Sequence, residues 1–278
     1  MSVVTHPATG SRTTRAGVDL TWFAVLTMLV SWVPLAMTIA VGRPGDVWFL
    51  VGTSGPTLAA LLLWLAGHRR PRGPARPVLT RVWAWVPAAL ALGLLPSAAA
   101  VALAGPMFDP AAAATMIEDV GGLFPALMML LLAGPLAEEF GWRGYAQPRL
   151  CRRLGPVATS AVLGAGWAVW HLPLFFVPGT SQAEMGIGSP AATLFLISFL
   201  PLSYLFWFVT ERLSGGVAGA VLMHVALNTG VTFGGISSDA AMGVVLGTAT
   251  LVSLAVAALG PRAASLTATA RTPARPVR

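Results

Sequence analysis

The chain has 278 residues, 56% of them hydrophobic and only 10% charged, with a mean hydropathy of +0.76. Soluble domains carry about 25% charged residues, so an ordinary soluble enzyme is excluded, and a disordered chain, which would be polar and charge-rich, is excluded too. All seventeen basic residues are arginine against ten acids, a formal charge of +7, and the single cysteine, Cys151, rules out an intramolecular disulfide or a multi-cysteine metal cage. In a soluble protein this surplus would suggest nucleic acid. Between long apolar runs it instead marks one side of a bilayer, with no nucleic-acid partner.

Crossing the hydrocarbon layer takes roughly 20 mostly apolar residues. After a polar stretch over 1–18, the sequence predicts such spans at about 20–41, 47–66, 82–104, 122–146, 156–177, 191–210, 213–233 and 241–260. Gly/Pro or charged segments separate them, such as Gly42-Arg43-Pro44-Gly45 and the run from Gly67 to Pro77. The first run has no small-residue cleavage site after it and reads as a retained helix. The segment 261–278, rich in Ala, Thr, Pro and Arg, reads as a disordered tail. The expected fold is therefore an all-α polytopic membrane protein of about eight transmembrane helices, placed in a bacterial plasma membrane. Its units are an N-terminal helical part (19–121), a helical core (122–235), a last span (236–260) and the tail.

Counting arginines gives an orientation. If the N-terminus is cytoplasmic, every arginine except Arg43 falls inside, and Asp46, Asp109, Glu118, Asp119, Glu184 and Asp239 fall in the opposite loops. An even number of spans then puts both termini in the cytoplasm. Trp48, Trp83 and Trp85, near span ends, read as interfacial anchors. No internal repeat supports an inverted-repeat transporter.

Ionisable groups inside a span are costly and each needs a reason. The clean apolar part of the fourth span, Gly122 to Ala137, is too short to cross, and extending it through Tyr145 restores a full length. Glu138, Glu139 and Arg143 are thereby drawn below the membrane surface. Glu139 and Arg143, four apart with the acid first, can neutralise each other. Glu138 is then left without a partner on that face, the situation of a general base. His171 lies about fifteen residues into the fifth span, among Trp167 and Trp170, with Pro173 two residues on. His224 and Asn228, four apart, share one face of the seventh span. Each alone could be a structural hydrogen-bonding group. Together they form a hydrolytic constellation, with Glu138 and His171 activating water while His224 and Asn228 donate to a developing oxyanion. The same Glu138, His171 and His224 could instead hold zinc with an open fourth position. Spacing does not separate the two.

At these residues the sequence resembles the CPBP intramembrane proteases, also called the Abi or type II CAAX prenyl protease family, whose motifs are E-E-x-x-x-R, F-x-x-x-H and H-x-x-x-N/D. Glu138-Glu139 with Arg143 match the first and His224 with Asn228 the third. The second departs, because Trp167 stands four before His171 in place of phenylalanine; the expectation is that its aromatic packing role survives. The resemblance covers roughly residues 120–235 and implies an endopeptidase acting on a membrane-associated protein or peptide. It brings both a metalloprotease label and a metal-free alternative built on the first Glu, the two His and the Asn. The metal-free roles are preferred here, because Asn228 shares a face with His224 and asparagine is an uncommon zinc ligand. Two other classes compete: a transporter or proton relay using the same buried groups, and a non-catalytic immunity scaffold.

Overall fold

The computed structural model describes residues 10–42, 46–69, 81–104, 110–236 and 238–269. Among them every regular element is helical: α1 (Gly10–Val41), α2 (Val47–Thr53), α3 (Gly55–Leu65), α4 (Val82–Ala104), α5 (Pro110–Asp119), α6 (Leu123–Leu150), α7 (Pro156–Trp170), α8 (Ser181–Met185), α9 (Pro190–Arg212), α10 (Gly216–Gly234) and α11 (Asp239–Thr269). Seven of these are long and apolar enough to cross a membrane, and α2 with α3 makes an eighth crossing only as a bent pair, turned by 68°. The protein is a polytopic all-α membrane protein, with one of the expected spans broken. Outward faces carry Trp22, Leu61, Leu132 and Leu254, as a lipid-facing surface requires.

Sequence dictates the breaks. Pro56 has no N–H to offer the carbonyl of Gly52 and its ring crowds that turn, so the second span bends at Ser54. Asp46 caps α2, accepting from the Phe49 N–H at 2.7 Å, and Ser189 caps α9 through the Ala192 N–H at 3.0 Å. Pro173 ends α7 earlier than the expected 156–177 helix: the regular helix stops at Trp170 and a 3₁₀ turn follows over Leu172–Phe176. His171 therefore sits at the helix end and not inside the helix.

Three further expectations change. Trp85 is no interfacial anchor; it is buried against α9 and α10, where Gly215 and Gly219 make room for its ring, whereas Trp48 and Trp83 are exposed. The last helix does not stop at 260, since the Ala-rich stretch 261–269 continues it; the remainder of the expected tail, 270–278, lies outside the described residues, as do Arg43 and the loop 70–80. Finally, Arg149 is more than a marker of topology. It is buried, and donates to the carbonyls of Tyr145 at 3.0 Å and His68 at 2.7 Å and to Asp19 at 3.4 Å. Asp19 also takes the Nδ1 of His68 at 2.7 Å. This cluster ties the end of α6 to α1 and to the turn after α3.

The core lies between α4, α6, α7, α9 and α10, around Trp167, Phe199, Phe206 and Met223. α4 packs along α10, α9 against α7 and α11, and α1 against α2 and α3. The bent pair braces α6: Gly141 lets α6 approach the backbone of Pro56, which any larger residue would strike. Thr57 Oγ1 donates to the Leu136 carbonyl at 3.0 Å.

Candidate active site

The site begins with an irregular helix. Pro135 cannot donate to the helical ladder, and α6 accommodates it with a wider π turn over Leu132–Leu136; a second covers Phe140–Ala146. Between them lie Glu138 and Glu139. Both carboxylates and Arg143 are buried. Arg143 Nη1 donates to Glu139 Oε1 at 3.0 Å, so the two charges neutralise each other across four residues despite the altered turn. The guanidinium is held between the rings of Trp167 and Phe206, 4.2 and 4.0 Å from their centroids.

The same Glu139 oxygen also accepts from His224 Nδ1 at 2.7 Å. A carboxylate can only accept, so the proton stands on Nδ1 and the ring presents Nε2 on its other side. Arg143 thus steadies Glu139, and Glu139 orients His224, the order of support seen when a base is positioned by a third group.

Glu138 is not the unpartnered carboxylate expected from spacing. Its Oε2 accepts from the indole N–H of Trp167 at 2.6 Å. That contact went unread in the sequence, where Trp167 stood for aromatic packing alone. The signal was present in the departure itself, because tryptophan carries a donor and phenylalanine does not. Trp167 also accepts at its carbonyl from His171 Nδ1, 2.9 Å away, which leaves Nε2 of His171 available. The His171 ring stacks on Phe199 with centroids 4.4 Å apart.

A methyl group placed on Gly134 would lie 2.9 Å from Asn228 Nδ2, 3.4 Å from His224 Nε2 and 3.7 Å from Glu138 Oε1. These three polar atoms therefore face one small space beside Gly134, a residue that the sequence reading passed over. His171, His224, Asn228 and Trp167 line a cavity of about 260 Å³ whose remaining wall is mostly apolar, with Phe195, Leu202 and Met242, and polar at Ser181, Gln182, Ser198 and Thr232. The fold thus brings together residues from three helices that lie up to ninety positions apart, from Glu138 to Asn228. Among the described residues, no three His, Cys, Asp or Glu side chains gather as a metal-ligand set. Glu138, His171 and His224 as placed do not form the ligand cluster that zinc binding by all three would need.

Comparison with known proteins agrees with the motifs. Residues 120–230 match the Rce1-like family, described as type II CAAX prenyl endopeptidase Rce1-like. A protein named CAAX prenyl protease 2 from Methanococcus maripaludis is 34% identical over 105 residues, which make up 37% of this chain and 38% of that protein. The family match covers the part of the chain that carries the site, and the chain spans well under half of the relative's length.

Proposed function

We propose, on the premise that residues 120–230 resemble type II CAAX prenyl endopeptidases, that this chain is an intramembrane endopeptidase hydrolysing a peptide bond of a membrane-associated protein or peptide. The observation that carries the reading is the convergence of Glu138 Oε1, His224 Nε2 and Asn228 Nδ2 on the space beside Gly134. Glu138, with His171, takes the proton of an attacking water. Asn228 donates to the oxygen that becomes negative as the carbonyl carbon turns tetrahedral. His224 joins as a donor whenever Nε2 also carries a proton, and Glu139 stabilises the charge that this second proton brings. The nitrogen of the scissile bond leaves with the proton Glu138 took, so the carboxylate ends as it began.

The apolar surroundings serve the same chemistry. A site walled by Phe, Leu and Met holds few competing waters and strengthens each polar contact made inside it. Support against a transporter comes from the other side of the site, where Trp142, Arg143, Gln147 and Arg149 are buried and packed beneath Glu138. Replacing Glu138 with alanine tests the reading. The variant should reach the membrane at wild-type levels and cleave no membrane-tethered peptide, and comparing membrane peptides of the two strains should reveal the substrates. Cleavage by Glu138→Ala at the wild-type rate would remove the assignment.

A further inference from the structure

Because α6, α7, α9 and α10 all cross the layer, each cavity residue can be placed by depth. Helix ends fall into two groups. At one lie the start of α1, the end of α3, the start of α4, the junction of α6 with α7, the junction of α9 with α10, and the far end of α11. Sixteen of the seventeen arginines belong to this end by sequence position. At the other lie the far ends of α1, α4, α7 and α10, and by sequence position Arg43 alone and six of the ten acids belong to it.

The cavity runs from the site toward the second end only. From His224, near the middle of α10, its wall continues through Asn228 to Thr232 and then to Ile236 in the turn beyond. On the facing side it passes from His171 to Ser181 and Gln182 of α8, where Ser181 and Thr232 are exposed. Toward the arginine-rich end the way is shut. Arg143 fills the gap between Trp167 and Phe206, Gln147 donates to Thr210 at 2.7 Å, and Arg149 is pinned to Asp19 and His68.

Arginine is retained on the cytoplasmic side of membrane proteins, the strongest general determinant of orientation. We infer that the cavity opens on the extracytoplasmic face, and that the site takes a peptide segment presented from that side, beside Ser181, Gln182 and Thr232. The part about the peptide rests on the endopeptidase reading; the side on which the mouth opens does not. A substrate confined to the cytoplasm would meet the packed end of α6, whereas an extended segment outside the membrane meets an open wall with polar groups at its rim and apolar groups below.

The test uses the full chain in spheroplasts of a bacterial host, with Cys151→Ser removing the native thiol. Single cysteines are placed at the mouth (Gln182→Cys and, separately, Thr232→Cys) and at the opposite end (Gly155→Cys, where a side chain meets open space). A membrane-impermeant maleimide should label both mouth cysteines in intact spheroplasts and label Gly155→Cys only after permeabilisation. The reverse pattern overturns the inference, and so does a mouth that labels on neither side, since two positions guard against one misfolded variant. In the same cells, labelling at Gln182→Cys should cut Glu138-dependent cleavage at least tenfold; complete labelling with cleavage intact shows that peptide does not enter there. Absence of any Glu138-dependent cleavage before labelling defeats the endopeptidase reading instead, while the labelling pattern still decides the side.

Discussion

Replacing Trp167 with phenylalanine removes one proton donor and keeps an aromatic ring at the position. The indole N–H holds Glu138 Oε2 at 2.6 Å, while the ring packs on Phe199 and Phe206 at 4.5 and 5.5 Å. Hydrogen bonds to charged groups contribute about 1.5–3 kcal/mol, and each 1.36 kcal/mol is a factor of about ten in rate. If that bond keeps Oε1 turned to the space beside Gly134, its loss lowers kcat by roughly 10- to 100-fold. KM should stay within about twofold, because the phenyl ring keeps the piece of cavity wall that Trp167 contributes and only the N–H bonded to Glu138 is lost. The assay is steady-state cleavage of a quenched fluorescent peptide by purified protein in liposomes, with the melting temperature read in parallel. Phenylalanine is also the residue of the resembled motif at this place, so the variant removes the donor and keeps the motif's aromatic ring. A kcat within twofold of wild type, or a loss that appears only in KM, refutes the positioning role.

Glu139→Gln leaves the buried Arg143 without its counter-charge and His224 without its carboxylate. Breaking a buried pair in this way costs about 3–5 kcal/mol, so thermal unfolding should fall sharply and cleavage with it, whereas a silent result would dissolve the Arg143–Glu139–His224 chain of support. Arg149→Ala should lower the melting temperature through about 2–4 kcal/mol of lost contacts to Tyr145, His68 and Asp19, and at temperatures where the variant is folded kcat should be near wild type. For the metal question, active protein purified without added metal should contain no stoichiometric zinc by elemental analysis and should keep its activity in chelator. One zinc per chain with chelator-sensitive cleavage would require the ligand atoms of Glu138, His171 and His224 to gather further than they do here.

The helical spans could be read from hydropathy because each had to satisfy its backbone internally across the layer, which forces long apolar runs. The clustering of Glu139 with Arg143, and of His224 with Asn228, was legible because four-residue spacing puts side chains on one helix face. What could not be read were contacts between helices. No spacing rule links Trp167 to Glu138 across 29 positions, or Arg149 to Asp19 across 130, since these depend on how helices rotate against one another. Trp85 illustrates the same gap: a tryptophan near a span end is equally consistent with lipid and with a neighbour, and only Gly215 and Gly219 opposite it decide for burial. The break at Ser54 lies between these cases, because Pro56 announces a defect in a helix without giving its angle.

The close approach of Gly141 to Pro56 bears on modularity. The recognisable half of the chain begins at residue 120, yet the irregular helix that carries both glutamates leans on a bend made more than sixty residues earlier, and one of its loosened carbonyls is served by Thr57. The half that carries the site is therefore not a cassette. Transplanted behind other apolar helices, residues 120–230 would need a partner able to meet a bare glycine backbone and to return a hydroxyl at the same height.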